Sequence, residues 1–173
     1  WVSHEHPDHF HVPTLKALPS SFKERVTLLF QKNHSNKMPD AFRRLGFKNI
    51  KLLKNRKIVA LTEHTSVHNS QIGQMDSSLA VITKEHTVLN MNDCEVNKTD
   101  TKLFLKDLGT IDLVLNQFSL AGYNGYFDYK NHLPKIAQAV LQSVIDTHIG
   151  LKAKITVPIA SYVYFCTQDN RHI

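Results

Sequence analysis

Apolar and polar positions along the chain alternate in short blocks, and each block predicts a short element. Pro13 fits the first turn of a helix over 14–18, and Pro19 stops it. Residues 26–30, Val-Thr-Leu-Leu-Phe, are β-branched and apolar between charged neighbours, the pattern of a buried strand. Pro39 and Asp40 open a helical turn over 41–45 that closes at Gly46. Two strands follow, over 47–53 and 57–65, with a turn at 54–56. The apolar runs 77–83 and 87–91, separated by Lys84-Glu85-His86, have hairpin spacing.

Beyond residue 100 the pattern changes. A helix is expected over 100–108 with Gly109 as its cap, then a strand over 111–115. Ile136, Ala137, Val140, Leu141, Val144 and Ile145 repeat at helical spacing from Pro134, with Gly150 as the stop. Residues 154–159 read as a further strand, which 162–165 extend or follow. A strand meander followed by alternating strands and helices predicts an α/β layered domain, one sheet face covered by helices. No linker, repeat or low-complexity tract divides the chain, so a single domain over 1–173 is expected.

Composition narrows the class. At 173 residues, 42% hydrophobic and 21% charged, the chain has ordinary globular content, not that of a disordered or collagen-like protein. No apolar run approaches the roughly 20 residues of a membrane span. The two cysteines, Cys94 and Cys166, exclude a disulfide framework and a four-cysteine zinc site, and a reducing cytoplasmic setting is the default expectation. The formal charge of +6 suits an anionic small-molecule substrate, yet Lys and Arg form no dense run of the kind nucleic-acid binding uses.

Histidine carries the chemistry. Four of the 11 fall in the first 11 residues, within Ser3-His4-Glu5-His6-Pro7-Asp8-His9-Phe10-His11. Residues two apart in an extended segment project to the same side, so His4 and His6 can face one metal ion. Pro7 then bends the chain, which can return Asp8 and His9 to the same pocket. Imidazoles and a carboxylate at this spacing are a metal-ligand set, unlike the homopolymer run of a purification tag. A metal with an open position acidifies its bound water to a pKa near 7, making hydroxide available at neutral pH.

His4-Glu5-His6-Pro7-Asp8-His9 resembles the His-x-His-x-Asp-His signature of the metallo-β-lactamase superfamily. That resemblance implies an αβ/βα sandwich and two divalent metal ions, zinc by expectation, with iron or manganese also admitted. It implies that His4 and His6 hold the first ion, and Asp8 and His9 the second. Asp93, closing the run Leu89-Asn90-Met91-Asn92-Asp93, is similar to the family's bridging aspartate, although an aspartate capping a turn has the same pattern. The segments Ser3–Leu15, Asp76-Ser77-Ser78-Leu79 and Asn92-Asp93-Cys94 resemble more narrowly the corresponding part of CMP-N-acetylneuraminate hydroxylase and related sugar-nucleotide hydroxylases, and 117–122 is similar to a Phe-Ala-Gly loop there. Those enzymes also carry a Rieske centre, and neither cysteine here lies in a Cys-x-His pattern, so oxygenase chemistry would draw on a separate domain or partner.

The resemblance is imperfect. The family's third histidine stretch is absent, and His64 and His68 are the nearest substitutes, with His68 the better spaced. Only three residues precede His4 where the family has several strands, so the domain is expected to be incomplete at its N-terminus and the chain to be part of a longer one. The favoured expectation is a metal-dependent hydrolase, with Asp8 as base if a single ion binds. The alternatives are an iron-dependent hydroxylase module acting on an amino-sugar nucleotide, or a non-catalytic metal-binding relative. Phe118, Tyr123 and Tyr126, in the aromatic loop 117–129, are the candidate substrate wall.

Overall fold

The computed structural model describes residues 1–119 and 129–160. Its contacts divide the chain into two compact units, Trp1–Glu85 and His86–Ile173.

The first unit runs α1 (Val12–Ala17), α2 (Ser20–Arg25), β1 (Thr27–Gln31), α3 (Lys37–Arg44), β2 (Asn49–Leu53), β3 (Lys57–Ala60), β4 (Ser66–Ile72) and β5 (Asp76–Ile82). Strands β1 and β2 pair in parallel, and β3, β4 and β5 form an antiparallel set. Side chains alternate across a strand, so β1 feeds two cores. Leu28 and Phe30 join Met38, Phe42 and Phe47, and the intervening Leu29 joins Leu53, Val67 and Leu79. The β1–β2 pair is therefore covered by helices on one side and by β4 and β5 on the other. Phe42 is fully buried and makes edge-to-face contacts with Phe10, Phe30 and Phe47 at 5.3, 5.5 and 6.3 Å. Through Phe10 the histidine loop is anchored to the core.

The second unit runs β6 (Thr87–Asn92), α4 (Lys98–Leu108), β7 (Leu113–Gln117), α5 (Tyr129–Leu151) and β8 (Ile155–Ile159), with β6, β7 and β8 parallel. A helix in each crossover is what parallel pairing requires. Asn97 caps α4 by accepting from the N–H groups of Thr99 and Asp100 while the Asp100 carboxylate accepts from Asn97 N–H. Asp112 accepts from Lys154 Nζ at 2.6 Å and from Thr87 N–H at 2.7 Å, joining the starts of β6, β7 and β8.

Several expectations are corrected. The segment 57–65 stops being a strand after Ala60, where Leu61 and Thr62 both donate to Thr65 O in a turn. The strand β4 had no apolar signature: it reads Ser-Val-His-Asn-Ser-Gln-Ile and buries polar residues. Helix α2 was likewise unforeseen, and β7 lies two residues later than 111–115. Helix α5 begins before Pro134, which sits inside it at the loss of one backbone hydrogen bond. Gly150 does not stop that helix. A Cβ there would lie 2.9 Å from Thr101 Cγ2, so this glycine lets α5 approach α4. Residues 162–165 lie outside the described residues.

Candidate metal centre

The N-terminal segment lies along β1, with Val2 N–H donating to Leu29 O at 3.1 Å. After His6 the chain turns as Pro7 demands, and the N–H groups of His9 and Phe10 donate back to His6 O. Ser3 O accepts from Ser77 Oγ at 2.8 Å and from Gln31 Nε2 at 3.3 Å, and Gln31 Nε2 also donates to Met75 O. These bonds pin the start of the histidine loop beside the start of β5. Asp76 is the first residue of β5.

The result is a cluster of three ligand atoms. His4 Nε2 lies 2.8 Å from His6 Nδ1 and 3.6 Å from Asp76 Oδ1, and one atom from each residue falls within 4.8 Å of the others. Two ligands on one ion at about 2.1 Å stand roughly 3.0 Å apart at a right angle and 3.4 Å apart at a tetrahedral one. The spacing here is that of donors able to share an ion. His4 is 1% exposed, and its other nitrogen, Nδ1, lies 3.0 Å from Ser3 Oγ. A proton on Nδ1, donated to Ser3, leaves Nε2 with its lone pair toward the cluster, the arrangement that fixes a ligating imidazole.

The other sequence candidates stand outside this set of three. His9 packs its ring 4.3 Å from that of His4, with Nδ1 3.5 Å from Ser3 Oγ. Its Nε2 is 3.3 Å from Asp8 Oδ2, and the Asp8 side chain is 73% exposed, open to a ligand from solvent. His68 is buried on β4, 3.4 Å from Ser70 Oγ, and is not one of the three clustered residues. His64 lies in the exposed turn beyond β3. Asp93 is half-buried in the second unit, on the turn after β6 where Asn92 takes a left-handed φ of 54°. Phe118 follows β7, half-buried, its N–H donating to Ile159 O. Tyr123 and Tyr126 lie outside the described residues.

Asp76 joins this cluster as a candidate ligand that the histidine motif did not single out. In place of a third imidazole, this cluster holds a carboxylate. The signal available was an acid opening the strand after β4, followed by Ser77, whose hydroxyl fixes Ser3.

No protein-family model and no curated protein matches the sequence. Solved structures do match in fold. The diiron β-hydroxylase CmlA from Streptomyces venezuelae aligns at a TM-score of 0.70 and 16% identity over 91% of this chain and 34% of its own. YhfI of Bacillus subtilis, a metallo-β-lactamase fold protein, aligns at 0.60 and 13% identity over 97% of this chain and 66% of its own. The short form of human tRNase Z aligns at 0.61 and 15% identity, over 92% and 70%. The fold is that of the metallo-β-lactamases, and the chain spans about a third of the length of CmlA.

Proposed function

We propose that this chain, with its metallo-β-lactamase fold, is the metal-binding part of an enzyme in which His4, His6 and Asp76 hold an iron ion for a hydroxylation. One observation carries the choice of metal: the clustered set is two imidazoles and one carboxylate, where a third imidazole was sought. Two histidines and a carboxylate with open positions form the facial set of non-haem iron oxygenases, a donor set that some zinc hydrolases also use. When bound, the ion would supply dioxygen chemistry at a C–H bond, with electrons delivered by a separate reductase domain or partner. The chain's own residues prepare the site. Ser3 orients His4, while Ser77 and Gln31 hold Ser3 in place. Asp8 and His9, on the exposed side of the same loop, offer further ligands for a second ion.

That CmlA is a diiron β-hydroxylase supports this reading by likeness of fold. A zinc hydrolase in which Asp8 acts as base is the second reading, supported by the likeness to tRNase Z. In either reading the +6 charge of the chain favours an anionic substrate.

Elemental analysis of protein purified without chelators, from cells supplied with both metals, separates the two. Bound iron, lost in His6→Ala, is the expected result. Zinc in place of iron would transfer the assignment to the hydrolase. Metal content unchanged in His6→Ala would show that the cluster is not the site.

A further inference from the structure

The parallel strands β1 and β2 stay in register from Thr27 opposite Asn49 to Gln31 opposite Leu53, and Lys32 N–H donates to Leu53 O at 2.7 Å. The next pair in that register is Lys32 beside Lys54. Neighbouring strands are about 4.8 Å apart, and like charges set side by side destabilise a pair unless an anion joins them. Of the nearby acids, Asp40 is engaged by Arg43 and Glu63 lies beside His64. Among the described residues neither Lys32 nor Lys54 has an ion pair.

A cavity of about 250 Å³ opens at this point, lined by Lys32, Asn33, His34, Lys54, Asn55 and Gln71. Among the described residues no acidic one lines it. Asn33 Oδ1 accepts from Ser35 N–H at 3.1 Å, and Asn55 Oδ1 accepts from Gln71 N–H at 2.9 Å. With both carboxamide oxygens committed, the NH₂ ends are what these two side chains have to offer. The crevice outside the carboxyl ends of parallel strands is also where open α/β sheets take their ligands.

We propose that this cavity binds the phosphoryl group of a small phosphorylated ligand through Lys32, Lys54 and His34, with the Asn33 and Asn55 amides completing the shell. Donors converging from two chain segments, 32–34 and 54–55, suit the oxygens of a tetrahedral phosphoryl group. A planar carboxylate is matched instead by the guanidinium fork of arginine, and none lines the cavity. Asn33 also borders a smaller cavity of about 160 Å³ that includes His4 and Glu5, so the phosphoryl site adjoins the loop carrying the metal ligands. The proposal stands on the cavity and does not depend on which metal the cluster holds.

Calorimetric titration of the whole chain with inorganic phosphate, methyl phosphate and acetate at low ionic strength tests it. Both phosphates are expected to saturate one site and acetate to bind at least about tenfold more weakly. Lys32→Gln and Lys54→Gln are each expected to weaken phosphate by about tenfold or more, the scale of a lost hydrogen bond to a charged group, while Lys54→Arg stays within a few fold. Should either glutamine variant fail a circular-dichroism check of folding, Asn33→Asp, which sets a negative charge at the rim, is expected to abolish binding. His6→Ala should retain phosphate binding whatever happens to its metal content. Unchanged affinity in the lysine variants, acetate binding as tightly as phosphate, or loss confined to His6→Ala would each overturn the proposal.

Discussion

The two units are made from similar elements and use their polar residues in opposite ways. In the first, Ser3, His4, Gln31, Asn69, Ser70, Ser77 and Ser78 are buried. Gln31 Oε1 and both polar atoms of Asn69 are buried with no hydrogen-bond partner among the described residues. Groups left so cost about 1–3 kcal/mol each. In the second, the polar residues close the frame. Asn97 and Asp100 cap α4, and Asp112 fastens the ends of three strands. A fold tolerates local conflict where it works and removes it where it only supports. The contrast agrees with the proposal that the first unit carries His4, His6 and Asp76 as metal ligands.

Five substitutions sharpen or break that contrast. Phe42→Ala should have the largest effect, about 3–5 kcal/mol of stability, because it empties the centre of a four-ring cluster. Denaturant unfolding measures it, and metal content should fall too, since Phe10 loses its support. A loss below about 1 kcal/mol would mean that Phe10 does not anchor the loop through this core. In the second unit, Gly150→Ala should cost about 1–3 kcal/mol by overpacking against Thr101. In a Thr101→Ala background the same change should cost less, because the approaches to Cγ2 at 2.9 Å and Oγ1 at 3.1 Å are gone and only that to Cβ at 3.2 Å stays. Failure of that rescue would return Gly150 to a helix-stopping role.

Asn97→Ala should remove about 1 kcal/mol by opening the α4 cap, without change in metal content. Coupled loss of metal would contradict the division of labour. The smallest effect belongs to Asp112. The Lys154 ammonium hydrogen-bonded to it, and then the Thr87 N–H, hold its carboxyl below the usual carboxylate range. A carboxyl lowered in the native state adds stability above its ordinary range, and that stability disappears as the pH falls through its native value. Thermal unfolding followed from neutral to acid pH should therefore show a steeper decline for the parent chain than for Asp112→Asn. Parallel curves would show that the ion pair adds nothing at the surface.

Much of this was legible in the sequence, for reasons that also explain the failures. The histidine motif fixed the turn after Pro7 and placed His4 and His6 together, because local spacing alone decides both. Strands β1, β2, β6 and β8 and helix α4 were readable from apolar runs and caps. Strand β4 was not, because a strand buried on both faces by Ser, His and Asn carries no apolar alternation. Asp76 was hidden for a related reason. Its partner His4 is 72 positions away, and only the pinning of Ser3 by Ser77 brings the two together. Gly150 misled because a glycine that permits close helix contact looks, in sequence, like a glycine that ends a helix.

The central claim is that the carboxylate of Asp76 completes an iron site with His4 and His6. Anaerobic titration of ferrous ion and, separately, of zinc into the parent chain, Asp76→Ala and Asp76→His tests it most directly. Loss of an outer partner costs a metal site about 10–100-fold in affinity. The account predicts a larger loss of iron affinity in Asp76→Ala, and a swing toward zinc in Asp76→His. Iron and zinc affinities unchanged in both variants would contradict it.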